Sequence, residues 1–145
     1  MFVFPKIESC CMAERAAPLA GRRVLIVENE AWIALVIEEE ARRLGCSDIV
    51  LAFSRQQALD AMTTFRPDLA IVEVALTGAG MCYAIADALA DRAIPFIVSS
   101  AYRADDLPDR HGHRPFVAKP MLSGEFARAV DLALMTASNT GDKNA

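Results

Sequence analysis

From Arg23 onward the chain alternates between short apolar runs and longer amphipathic stretches. Val24-Leu25-Ile26-Val27 is a continuous apolar run, the pattern of a strand buried on both faces. In the next stretch Ile33, Val36, Ile37, Ala41 and Leu44 recur at helical spacing and share one face, and Gly45 stops the helix. Glu38 with Arg42, and Glu39 with Arg43, are favourable i,i+4 pairs on its wet side. Asp48–Ala52 reads as a second strand. Ser54 with Gln57 forms a capping box that opens a second helix, whose core face is Ala58, Leu59, Met62 and Phe65 and which Pro67 ends. Leu69–Val72 is the third strand. A loop over 75–80 leads to a third helix that buries Cys82, Ile85, Ala86 and Leu89. Residues 95–99 are the fourth strand. The stretch 103–114 is polar and holds Pro108 and Gly112, so a fourth helix there is short. Phe116–Ala118 is a brief fifth strand. A fifth helix, capped near Ser123, buries Phe126, Ala129, Val130, Ala133 and Leu134.

Five strands alternating with helices predict an α/β fold, a doubly wound five-stranded parallel sheet with helices on both faces. Residues 1–22 lack periodicity, contain Pro5, Pro18 and Gly21, and read as a flexible leader; Met12 offers a second start. The domain is expected over 23–137, with 138–145 a disordered tail. No internal repeat is present beyond the β/α alternation.

Composition narrows the function classes. The chain has 145 residues, 54% hydrophobic and 23% charged, which suits one globular domain with its own core. The net charge of −4 and the lack of a basic stripe exclude an evident nucleic-acid surface. Apolar runs are broken by charge well short of the ~20 residues of a membrane span. Lys6 and Glu8 interrupt what would have to be the apolar core of a signal peptide. A cytoplasmic protein is expected. Of four cysteines, Cys10, Cys11, Cys46 and Cys82, none forms a CxxC pair, and Cys46 and Cys82 read as ordinary buried thiols.

In doubly wound sheets ligands bind beyond the carboxyl ends of the strands. There the chain places Glu28-Asn29-Glu30 after strand one, Glu73 after strand three, Ser99-Ser100 after strand four and Lys119-Pro120 after strand five. Each has a bland reading: a helix cap for Glu30, a turn serine, a solvated lysine. Their convergence on one rim favours a site. A Rossmann dinucleotide site needs a glycine-rich first turn, and this turn is ENEA. A Walker lysine motif is absent. A flavodoxin-like cofactor binder is a remaining rival, although the first loop lacks the run of small hydroxyl residues that would hold a phosphate.

The blocks VLIVENE, PDLAIVEVALTGAG, PFIVSSAY and PFVAKP resemble, in order, those of response-regulator receiver domains, over roughly residues 23–134. The SSAY loop looks like that of single-domain regulators. The resemblance implies a flavodoxin-like receiver fold and a signalling function, with a kinase-fed phosphoaspartate, a Mg²⁺ held by acids after strand one, and a hydroxyl and a lysine on the phosphoryl oxygens. Carried over by motif, Glu28 and Asn29 stand at the acidic pair, Glu73 at the phosphoacceptor and Ala75 at the metal-facing carbonyl. Ser100 is the hydroxyl, Lys119 the lysine before a cis proline bond, and Phe116 the aromatic that repacks on activation.

Two positions depart from the pattern. Asn29 replaces an acid, and Glu73 replaces the phosphoacceptor aspartate. Mg²⁺ demands near-octahedral oxygens at ~2.0–2.1 Å, and Glu73 reaches about 1.5 Å further than an aspartate. A misplacement near 1 Å can cost ~10²-fold in a reaction that depends on alignment. The expectation is a pseudo-receiver: not an enzyme, with Mg²⁺ weak or absent (on Glu28, Asn29 and Glu73 if anywhere), signalling by binding. The expected partners are a histidine kinase, a phosphotransfer protein or a downstream regulator, or a second copy, through the face of helix four, strand five and helix five. The competing reading is an active Mg²⁺-dependent phosphoacceptor. Among other residues, Trp32 is a site-mouth or partner anchor against partial burial, the commoner outcome. Tyr102 lies where access to the site is controlled. His111 and His113 are expected in a solvated loop.

Overall fold

The computed structural model describes residues 17–74, 83–101, 107–119 and 123–144, with the backbone alone at 123 and 137–144. Five strands, β1 (Arg23–Val27), β2 (Asp48–Ala52), β3 (Leu69–Val72), β4 (Phe96–Ser100) and β5 (Phe116–Ala118), alternate with helices. These are α1 (Ala31–Arg43), α2 (Arg55–Thr64), α3 (Ala84–Asp91) and α4 (Ser123–Asn144). A single 3₁₀ turn, Asp109–His111, precedes β5, where a short helix was expected.

All strand pairs are parallel, and the sheet order is β2-β1-β3-β4-β5. The order reverses direction at β1/β3, which puts the ligand crevice of such sheets beyond Val27 and Val72. The pleat sorts the apolar runs into two cores. Leu25, Val27, Ala70, Val72, Phe96 and Val98 pack with α2 and α3. Val24, Ile26, Leu69, Ile71, Ile97 and Val117 pack with α1 and α4.

Local signals act largely as read. The Ser54 hydroxyl accepts the Gln57 N–H at 3.2 Å, and the Gln57 side chain accepts the N–H of Phe53 at 2.8 Å. Gly45, at φ +96°, ends α1 and packs on Ala17. Arg42 and Arg43 meet Glu38 and Glu39 at 3.2 Å each. Cys46 is buried, its thiol 3.4 Å from the Arg22 and Asp48 carbonyl oxygens.

Four expectations need correction. First, the end of the leader is part of the fold. Leu19 is fully buried in the α1/α4 core, and its N–H donates to the Leu44 carbonyl at 3.0 Å. One apolar residue flanked by Pro18 and Gly21 carries no periodicity, so the sequence hid it. Second, the buried stripe of α1 is Ala34, Ile37 and Ala41, whereas Val36 is exposed. Small Ala34 lets the helix lie close on the sheet and turns Val36 outward. Third, Trp32 is not partly buried but 66% exposed. The last helix also continues to Asn144, past the boundary drawn at 137.

Candidate functional site

The sheet itself aims the site residues. The Glu28 N–H donates to the Ala52 carbonyl at 3.0 Å, and the Glu73 N–H to that of Val27 at 2.9 Å. The Lys119 N–H donates to the Ser100 carbonyl at 3.0 Å. Each residue extends its strand's ladder by one bond, so its Cα is held as firmly as the strand. Glu28, Glu73 and Lys119 come from three separate strands and meet at the carboxyl-end crevice.

Their side chains form a buried triad. Lys119 Nζ donates to Glu28 Oε2 at 2.6 Å and to Glu73 Oε1 at 3.1 Å. The outer oxygens are held by backbone: the Glu30 N–H donates to Glu28 Oε1 at 3.3 Å, and the Val74 N–H to Glu73 Oε2 at 2.9 Å. All four carboxylate oxygens thus have a donor from the chain. Both glutamates are buried, and the Lys119 side chain nearly so.

One ammonium between two carboxylates leaves a surplus negative charge out of water. Burial pushes the Glu28 carboxyl above its ordinary range, and the bonds from Lys119 and the Glu30 N–H only partly oppose this. Burial alone would lower Lys119, but its bonds to Glu28 and Glu73 prevail and hold it above the usual lysine value. The two directions have different origins: burial prevails at Glu28, and the bonds to two carboxylates prevail at Lys119.

Ser100 is fully buried at the end of β4, and Ser99 beside it is buried as well. Asn29 is exposed in the turn that follows Glu28. Glu30 occupies the N-cap position of α1 but makes no side-chain cap; its carbonyl accepts the Ala34 N–H at 3.0 Å. Phe116 is half-buried against the α2/α3 core. Ala75, Cys82, Tyr102 and Pro120 lie outside the described residues.

The sequence with this arrangement has known relatives, although no family model matches the chain. SdrG from Sphingomonas melonis Fr1 superposes with a TM-score of 0.70 at 30% identity, over 81% of this chain and 98% of SdrG. The PhyR response regulator REC domain of Erythrobacter litoralis gives 0.71 at 27% identity, over 80% and 92% of the two chains. The transcriptional regulatory protein PdtaR of Mycobacterium tuberculosis is 30% identical over 125 residues, 84% of this chain. This chain belongs to the response-regulator receiver family. It spans 60% of the length of PdtaR, the curated relative that it matches.

One polar cluster of this receiver escaped the sequence. His111 is not in a solvated loop but only 2% exposed. Its Nε2 lies 2.7 Å from Asp87 Oδ1 on α3, and its ring packs edge-on against Phe96 with centroids 5.7 Å apart. Arg110 forks onto the same carboxylate at 2.8 and 3.2 Å and sits over Tyr83. Arg114 covers the face of Phe96, 4.4 Å from its centroid. No spacing rule links an aspartate on one helix to a histidine 24 residues on, and a polar run hides one ring that turns inward. Among the described residues no helix is long and apolar enough to cross a membrane.

Proposed function

We propose that this receiver is a signalling module that works by binding and does not accept a phosphoryl group. The observation that carries this reading is the position of Lys119 Nζ, bonded to both Glu28 and Glu73. A receiver lysine that serves a phosphoryl group must be available to its oxygens. Here a carboxylate one methylene longer than aspartate occupies it. Phosphoryl transfer depends on positioning and on neutralising the charge that builds on the transferred oxygens, and the triad adds negative charge where positive is needed.

The donor set does not fit Mg²⁺ as it stands. Mg²⁺ needs near-octahedral oxygen ligands, and an ammonium already bridges the two buried carboxylates. Asn29 supplies no charge in place of the missing acid. Among the described residues no three acidic, histidine or cysteine side chains converge as a metal cluster. On this reading the protein is not an enzyme, and Glu73 holds the switch in one arrangement through Lys119.

The partner is a protein. Its kind follows from the family resemblance: a histidine kinase, a phosphotransfer protein or a downstream regulator, met in the cytoplasm. The face built from the 3₁₀ turn, β5 and α4, with Phe116 at its edge, is the proposed docking or dimer surface. Substitution of Phe116 weakens partner affinity on this reading, and substitution of exposed Arg55 on α2 does not.

The test is labelling with a small phosphodonor, with and without Mg²⁺. Wild type is expected to give no hydroxylamine-labile acyl phosphate. Glu73→Asp restores the acceptor but leaves the metal site short of a charge. Asn29→Asp restores the charge but leaves Glu73 on Lys119. Because both serve one ion, the double variant gains more than the two singles together. Robust Mg²⁺-dependent labelling of wild type at Glu73 overturns the reading and makes the protein an active phosphoacceptor.

A further inference from the structure

We infer that this receiver binds a small amphipathic cation in a cavity between α1 and the ends of β4 and β5. The cavity, open to solvent on one side, holds about 320 Å³, within the size class of small-molecule sites. Its walls come from Trp32, Ile33, Val36 and Ile37 on one side and Ser99 and Lys119 on the other.

The sequence explains why it exists. On β4 the pleat sends Ile97 into the α1/α4 core. Two positions on, the same face of the strand carries Ser99, and two further on Ala101. Neither is large enough to fill the layer that Ile97 fills. Space is therefore left over these small residues, along the side of α1 that carries Trp32, Ile33, Val36 and Ile37.

Three features define the ligand. The walls on α1 are apolar, so its body is apolar. Ser99 is 1% exposed, and its hydroxyl has no hydrogen-bond partner among the described residues. A buried polar group in that state calls for a reason, and rotation of the Ser99 side chain toward the cavity that the residue lines, to meet a ligand that donates or accepts, supplies one. The third feature is charge. Lys119 lines the cavity, but its ammonium is already bonded to Glu28 and Glu73, and exposed Glu30 is a further lining residue. The field is that of a surplus negative charge and repels an anion. The exposed Trp32 ring on the wall adds a surface that favours a cation. A protonated amine on a compact apolar body meets all three. The inference rests on the triad's charge, so it stands or falls separately from whether Glu73 accepts a phosphoryl group.

Three probes of one shape and different charge test it: 2-phenylethylamine, 2-phenylethanol and phenylacetate, titrated into ¹⁵N-labelled full chain. The amine is expected to give saturable shifts at Trp32, Ile37 and Ser99. The alcohol binds about ten-fold more weakly, and phenylacetate gives none. Ser99→Leu fills the space and removes amine binding. Ser99→Ala keeps the space and weakens binding about three- to ten-fold, the worth of one hydrogen bond. Trp32→Ala is at an exposed position, so the fold persists, and it weakens the amine about five-fold or more. The inference is overturned by no saturable response to the amine at tens of millimolar, by equal response to all three probes, or by amine binding that survives Trp32→Ala and folded Ser99→Leu unchanged.

Discussion

Two ionic clusters of this receiver have similar bond lengths and opposite character. In the triad two carboxylates share one ammonium, out of water. At α3 one carboxylate, Asp87, takes the guanidinium fork of Arg110 and the imidazole of His111, and Asp87 is 43% exposed. The first is short of positive charge, the second well supplied. Burial pushes Glu28 above the ordinary carboxylate range, while the bonds from Arg110 and His111 hold Asp87 down to about 2. A 2.8 Å ion pair is therefore not a fixed quantity of stabilisation. Burial sets the direction at Glu28 and the bonded cation sets it at Asp87, and access to water sets how much a broken bond costs.

The largest expected effect follows from the buried side. Lys119→Met leaves two carboxylates facing each other in a dry crevice. Breaking a buried pair from one side costs about 3–5 kcal/mol. Urea unfolding of Lys119→Met should show a loss of that order at pH 7. Lys119→Met/Glu73→Gln removes one of the stranded charges and should be more stable than Lys119→Met alone. A single variant as stable as wild type would mean that water reaches the triad, and the contrast between the clusters would vanish.

That triad was legible because strand ends are legible. A short apolar run bounded by a polar residue marks both the strand and the residue that extends its ladder, so the sequence alone singles out Glu28, Glu73 and Lys119. The five-stranded parallel sheet followed from the same β/α alternation, and the receiver blocks implied its flavodoxin-like fold. What the sequence did not carry is orientation about a helix axis and the fate of single residues. Val36 satisfies the helical period as well as Ala34 does, and only close packing on the sheet decides which turns inward. Leu19 and His111 are single side chains in polar, proline- and glycine-bearing stretches. No period exists there to reveal that each fills a gap in a core formed by distant elements.

A smaller effect is expected at the second cluster. Asp87→Ala leaves Arg110 in water, which costs little, but strands His111 Nε2 in a ring that is 2% exposed. An unsatisfied buried polar group costs about 1–3 kcal/mol. The loss should therefore be measurable and smaller than that of Lys119→Met. Arg110→Ala should lose less than Asp87→Ala, because its partner keeps both His111 and solvent. If Arg110→Ala proved the worse of the two, the guanidinium and not the histidine would be holding the 3₁₀ turn to α3.

The smallest effects are pH slopes, and their signs are opposite. Asp87 has a folded pKa of about 2 against an ordinary 3.8. Its stabilisation is complete above 3.8 and is lost as pH falls from there toward 2. Solvent screening at a carboxylate this exposed keeps the amount small. Glu28 runs the other way, because its folded pKa is raised above the ordinary 4.5. The folded state binds its proton more tightly than the unfolded state, so ionisation costs stability as pH rises through 4.5 and beyond. Unfolding free energies measured against pH for wild type and two variants separate the terms. Relative to Asp87→Asn, wild type should gain stability as pH rises from about 2 to 3.8. Relative to Glu28→Gln, it should lose stability as pH rises above 4.5. Raised Lys119 adds nothing in either window, since its stabilisation is full below the ordinary 10.5 and is lost only as pH rises through its higher folded value. Two slopes of the same sign would refute the view that burial outweighs Lys119 at Glu28, because a carboxylate whose cation prevails gains from ionising, as Asp87 does.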